Sequence, residues 1–231
     1  MGRRTLIVTV LAIVVVVLVT IGSYRFYFAS KVNAPPKPVS MAKCTTQPAA
    51  GALRSFTIVP GQSTASYKVH ENLILRNLPS TDAVGKTHDV TGAFQISTTP
   101  APQVTSLHLT VNLNTLRTDE SMRDRFVRTL ALETDLYPNA DFASTCTQGM
   151  PTHYSNGKPL SFQLLGNLTM HGKTRQETFA VTGKLSDKTI SGTATTTLLM
   201  TDFDIQPPNL ASIAIAQNKV LVTINFIAQE K

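Results

Sequence analysis

Residues 160–181 read LSFQLLGNLTMHGKTRQETFAV, and this stretch decides the fold. Phe162, Leu164, Leu168, Met170, Phe179 and Val181 fall on alternate positions, with Ser161, Gln163, Asn167 and Thr169 between them. A period of two gives an extended strand one dry face and one wet face. His171-Gly172-Lys173 interrupts the alternation, and Gly172 can take the positive φ that a tight reversal needs. The stretch therefore predicts a long β-hairpin with a continuous apolar inner face.

The same pattern recurs on both sides. Tyr67 and Val69 alternate inward over residues 64–71, and Phe94 and Ile96 share one face over 90–97. Leu107, Leu109, Val111 and Leu113 alternate with His108, Thr110 and Asn112. Leu198 lies on one face of a β-rich segment over 189–200, and Val222, Ile224 and Phe226 finish the chain in the same rhythm. Residues 73–86, broken by Pro79 and Gly85, read as irregular. The period changes once. Ser121-Met122-Arg123-Asp124 resembles a capping box with Asp in place of Glu. Met122, Phe126, Val127 and Leu130 follow at helical spacing, and Pro138 prevents continuation past about Leu132.

Short turns and the lack of crossover helices imply antiparallel order. One apolar face per strand requires closure on itself or stacking. The fold expected is all-β and antiparallel, either a closed, lipocalin-like β-barrel of about eight strands or a sandwich, with one short amphipathic helix and preceded by an N-terminal transmembrane helix. A barrel of about eight strands is just wide enough to be filled by side chains or to hold one slender ligand.

Residues 1–30 supply the transmembrane part. Eighteen uncharged residues, 5–22, follow Arg3 and Arg4 and precede Tyr24, Arg25, Phe26, Tyr27 and Phe28. That is the lower length for a spanning helix, flanked by an aromatic belt. A cleaved secretory signal is the competing reading, with Val32-Asn33-Ala34 as its best site, although Pro35 follows. The flanking arginines place the N-terminus in the cytoplasm. Localisation is thus expected at the cell membrane, single-pass, with the main domain extracytoplasmic. Residues 31–53 form a Pro-rich linker, and residues 54–231 form the barrel domain.

Net charge is +7, but three cations and no acids lie in the first thirty residues, so the rest carries 18 − 14 = +4. No basic stripe appears, which argues against a nucleic-acid partner. The five histidines, His70, His88, His108, His153 and His171, show no zinc spacing. GxSxG, HExxH and glycine-rich phosphate loops are missing. Asp119, Glu120 and Asp124 sit where acids complement a helix dipole. The reading is a protein without catalysis, metal or cofactor. In an exported domain Cys44 and Cys146 are a candidate disulfide.

Three segments carry a family resemblance. They are Ser121-Met122-Arg123-Asp124 with Tyr137-Pro138-Asn139-Ala140-Asp141-Phe142; the hairpin Leu165-Gly166-Asn167-Leu168-Thr169-Met170-His171-Gly172-Lys173-Thr174-Arg175; and Tyr67-Lys68-Val69 leading to Val84-Gly85 and Gly92-Ala93-Phe94. Together they resemble the YceI-like family of exported lipid-binding proteins over about residues 54–229. The resemblance implies an elongated barrel that takes a polyisoprenoid chain into its bore.

On that footing the inward set becomes a candidate apolar channel: Tyr67, Val69, Phe94, Ile96, Leu107, Leu109, Val111, Phe126, Leu164, Leu168, Phe179, Val181, Leu198, Val222, Ile224 and Phe226. A head group would need donors at the mouth. Arg123, Arg125, Arg128, Lys173 and Arg175 are available, or are simply a solvated face. The partners expected are a lipid ligand and the membrane, with a homodimer left open. The alternative is an envelope interaction module with a filled core and no small ligand.

Overall fold

The computed structural model describes residues 52–73, 80–98, 101–210 and 214–231. The chain divides into two compact units, Met1–Ala42 and Lys43–Lys231. The first unit, which holds the apolar run of residues 5–22, lies outside the described residues, and so does Cys44. Among the described residues no helix is long and apolar enough to cross a membrane.

The expected hairpin forms as read. Strands β1 (Arg54–Ile58), β2 (Thr64–Leu73), β3 (Thr81–Thr87), β4 (Val90–Ser97), β5 (Gln103–Asn112) and β6 (Asn139–Gln148) precede it. Its arms are β7 (Leu160–Met170) and β8 (Lys173–Ser186), and β9 (Thr189–Leu199), β10 (Asn209–Leu210) and β11 (Ala214–Glu230) follow. Met170 pairs with Lys173, so the hairpin closes on two residues. Both have positive φ, His171 at 51° and Gly172 at 69°. That is the mirror-image turn whose twist suits a hairpin. The glycine was legible; the histidine's left-handed backbone was not.

All pairings are antiparallel, and they run β1-β4-β5-β6-β7-β8-β9-β11, with β11 returning to β1. Eight strands thus close into a barrel. The edge of the seventeen-residue β11 that faces away from β9 carries β1 at one end and β2 along the rest. β2 pairs in turn with β3. β1 with β2, and β3 with β4, therefore behave as two long strands broken near Pro60 and near Asp89. Their β2 and β3 halves overhang one end of the barrel.

The helical connection between β5 and β6 covers that end. A 3-10 turn over Leu113–Thr115 is followed by α1 (Ser121–Phe126), which loosens into a π turn over Val127–Ala131. Glu133, at φ 47°, ends the run. The expected capping box is shifted. Glu120, not Ser121, is the N-cap and accepts from the Met122 N–H. Asp124 instead accepts from the Thr118 N–H and hydroxyl at 2.6 and 2.7 Å. A carboxylate with two local donors is better satisfied there than one reaching back to the cap.

Residues 73–86 also differ from expectation, because they contain β3. Gly85 pairs with Tyr67, whose ring lies where a Cβ would be: Tyr67 Cε1 is 2.2 Å from that point. The glycine is a seat for an aromatic ring, not a strand breaker.

Candidate functional site

The barrel has two unlike ends. The β4–β5, β6–β7 and β8–β9 connections gather at one, together with the start of β1 and the end of β11. We call this the mouth. The helical segment, the His171-Gly172 turn and the β9–β10 connection gather at the other, the closed end.

An apolar cavity of about 140 Å³ occupies the mouth half. Its wall is built from inner-face positions on all eight barrel strands: Ile58 on β1, Phe94 and Ile96 on β4, Leu107 and Leu109 on β5, Phe142 on β6, Leu164 on β7, Phe179 and Val181 on β8, Ala194 on β9, and Ile224 and Phe226 on β11. Phe142 and Phe179 meet edge to face, 4.9 Å apart at 66°, and form its floor. Phe226 lies over the paired Gly183 and Gly192, where a Cβ on Gly192 would be 2.7 Å from the ring. Ser97, Thr98, Gln103, His108 and Lys184 add polar side chains to its lining. A cavity so lined offers dryness and dispersion contacts to an apolar guest.

The wall has a seam. The β5–β6 ladder runs only from His108–Ala143 to Asn112–Asn139. Toward the mouth, β6 bulges between Ser144 and Cys146 and stays with β7. Gln103–Leu107 of β5 therefore pair on one side only, with β4. Leu107 and Leu109 remain half-buried, although they belong to the cleanest alternation in the sequence. They pack against the core on one side and border the cavity on the other.

The lid of the cavity comes from residues 149–159, which carry no periodicity. Met150 and Tyr154 reach the cavity from this loop. The Tyr154 hydroxyl donates to the Leu185 carbonyl at 2.9 Å and accepts from the Leu185 N–H at 2.8 Å. One tyrosine thus satisfies both backbone groups of β8 and pins the loop across the barrel end.

Nine of the sixteen expected channel residues line the cavity: Phe94, Ile96, Leu107, Leu109, Leu164, Phe179, Val181, Ile224 and Phe226. The other seven do not. Val111, Leu168 and Leu198 are buried in solid core further in, with Tyr67 and Val222 packed against it. Val69 belongs to a small separate cluster with Ala83 and Ala216. Phe126 is half-buried on α1, away from the cavity. Alternation reports which face is dry, and it carries no information on depth along the bore. Ile58, Phe142, Met150, Tyr154, Phe162 and Ala194 also line it and were not among those sixteen. Phe162 shared the hairpin's inner-face parity; the loop residues gave no signal.

The closed end is plugged. Phe203, fully buried, enters from a 3-10 turn over Met200–Phe203. His171 Nδ1 donates to the Phe203 carbonyl at 2.9 Å, and its Nε2 meets Glu133 at 2.9 Å. Tyr137 packs edge-on against the same imidazole at 4.9 Å. Arg123 spans buried Glu71 (2.8 Å) and Asp119 (2.6 Å), and Lys173 pairs with Asp204 at 2.8 Å. Of the cations considered for a head group, Arg123 and Lys173 are thus engaged in structure at the far end from the cavity.

Two shifted groups also belong to this half. Burial pushes the Tyr67 phenol up to about 12, and its hydroxyl has no hydrogen-bond partner among the described residues. Burial, with Asp202 nearby, raises Glu177 to about 7. Cys146, on β6, is buried and is not a free thiol. Among the described residues no three His, Cys, Asp or Glu converge as a metal site.

The YceI-like domain family matches residues 56–228. Solved structures agree on the fold at low identity. A polyisoprenoid binding domain from Saccharophagus degradans, implicated in plant cell wall breakdown, superposes with a TM-score of 0.60 at 15% identity, over 77% of this chain and 99% of that one. BcnA from Burkholderia cenocepacia gives 0.54 at 18% identity, over 74% and 99%. A YceI protein from Campylobacter jejuni gives 0.50 at 16% identity, over 64% and 84%. No curated protein matches the sequence. With the family matched across nearly the whole barrel, the chain belongs to the YceI-like family.

Proposed function

We propose that the barrel binds the apolar tail of a polyisoprenoid or similar amphiphile, without catalysis, outside a membrane to which residues 1–30 anchor it. The dry cavity at the mouth carries this reading. The Saccharophagus domain, described as polyisoprenoid binding, supports it by shared fold. Cys146 is bridged, and the sequence has one other cysteine, Cys44; a bond between them would tie the linker to β6.

Magnitudes set the terms. A cavity of about 140 Å³ is close to the ~150 Å³ that accepts a benzene-sized guest. It seats about one isoprene unit. At about 0.8 kcal/mol per CH₂, one unit is worth roughly 4 kcal/mol, which corresponds to only about millimolar binding. A tightly held lipid must place further units along the β5–β6 seam. The cavity weighs against an interaction module with a wholly filled core.

Native mass spectrometry of the full chain taken from its membrane, followed by titration with prenyl alcohols of increasing length, tests this. Co-purified lipid and affinity that climbs with chain length are expected. A protein that retains no lipid and binds no prenyl chain would overturn the reading.

A further inference from the structure

Charge is unevenly distributed between the two barrel ends. The mouth end carries Arg54, Lys158, Lys184, Lys188 and Lys231 against Asp187 and Glu230, five cations minus two acids, or +3. Arg54 neutralises Glu230 through two bonds of 2.7 and 2.8 Å, and the four lysines are exposed. None of them forms an ion pair with a described carboxylate. The closed-end connections among the described residues carry seven acids against four cations, or −3. Apolar groups stand among the lysines: Leu53 is 47% exposed, and Pro151 and Pro159 are exposed on the β6–β7 loop.

The chain joins the barrel at this same end, because β1 runs from Arg54 at the mouth inward. Thirty residues, 23–52, separate the apolar run from Leu53. The junction with residues 1–52 is therefore at the mouth and not at the closed end.

We propose that the mouth end docks on an anionic bilayer surface, so that a lipid tail moves between membrane and cavity without crossing water. Lysines at a surface are drawn to anionic head groups, and Leu53, Pro151 and Pro159 can sink among them. The docking stands on charge and connectivity; the transfer rests on the lipid-binding reading above.

The sequence has no Trp, so one introduced residue is a clean reporter. Full-length Pro151→Trp, with Pro159→Trp as a second reporter on the same loop, is compared with Leu136→Trp at the closed end. Each is reconstituted in phosphatidylcholine vesicles with or without phosphatidylglycerol, containing lipids brominated in their tails. Mouth reporters should be quenched in the anionic vesicles and the Leu136→Trp reporter should not. Adding Lys158→Gln and Lys184→Gln should lower the docking equilibrium about fivefold per lysine. Unquenched mouth reporters, equal quenching at both ends, or quenching indifferent to phosphatidylglycerol would overturn the proposal. Lipid retention is measured on the same protein by mass spectrometry. Docking without retained lipid would remove the lipid-binding reading alone, and retained lipid without docking would remove this one alone.

Discussion

The mouth half and the closed half are made from the same strands, yet they are held by different physics. In the closed half, Phe203, Leu113, Leu116, Val111, Leu168 and Leu198 fill the bore. Around them, His171, Glu133, Arg123, Glu71 and Asp124 form specific polar links. In the mouth half the wall is equally apolar, but residues such as Leu107 and Leu109, packed against the core on one side, border a cavity on the other. The difference teaches where the family's recognisable residues are used. Tyr137 and His171 come from two of the motif segments and touch each other. Arg123 and Asp124, from the same set, brace the helix against β2 and Thr118. The polar motif residues build the plug, whereas the motifs give the cavity only apolar rings, Phe94 and Phe142.

Truncation should show the contrast most strongly. Phe203→Ala removes a side chain from the fully buried plug and should lose about 3–5 kcal/mol in urea unfolding. Phe226→Ala, beside a space that already exists, should lose only about 1–2 kcal/mol. Equal losses would mean that the mouth half is as tightly packed as the closed half.

Enlargement reverses the test. Leu168→Trp has no room and should destabilise by about 1–3 kcal/mol. Leu109→Trp points into the cavity and should change stability by less than about 1 kcal/mol while abolishing lipid retention in mass spectrometry. A Leu109→Trp protein that still carries lipid would place the ligand elsewhere.

How much of this contrast could be read in advance follows from what each residue signals. The hairpin over 160–181, the inward faces of β4, β5 and β11 and the family itself were legible, because alternation and turn chemistry are local. The division of one dry face into cavity and core was not, since it depends on what crosses the barrel. Phe203 fills one half from a connection with no periodic pattern, and Tyr154 covers the other from a loop anchored to Leu185 and Asp187, far away in sequence. Gly85 read as a breaker because its partner, the Tyr67 ring, is far away in sequence. Arg123 and Lys173 looked free for a head group because their acids, Glu71 and Asp204, are contributed by other segments.

The closed half also holds a pH-dependent term. Glu177 lies on the same face of β8 as Phe179, and burial with Asp202 nearby lifts it from 4.5 to about 7. Its folded form therefore holds a proton that the unfolded chain releases. That contribution is complete below about pH 4.5, declines as pH rises toward 7, and is gone above it. Glu177→Gln should flatten this decline and make the protein more stable at pH 8, by about 1–2 kcal/mol after discounting for its half exposure. Parallel stability curves for parent and variant over that window would show that Glu177 is solvated like an ordinary surface carboxyl.

The smallest effect sharpens the comparison most. Tyr67 was expected in the channel but lies in the filled half, with its hydroxyl buried and unpartnered among the described residues. A hydroxyl in that position forfeits its hydrogen bonds to water on folding, a loss of about 1–3 kcal/mol when nothing replaces them. Tyr67→Phe keeps the ring over Gly85 and removes the penalty. The variant should be as stable as the parent or up to about 1 kcal/mol more so, in contrast to nearly every other buried truncation. A loss of 1 kcal/mol or more in the same urea titration would mean that the hydroxyl has a partner when folded. The plug would then contain a bound polar group, and the closed half would not be the solid counterpart of the mouth.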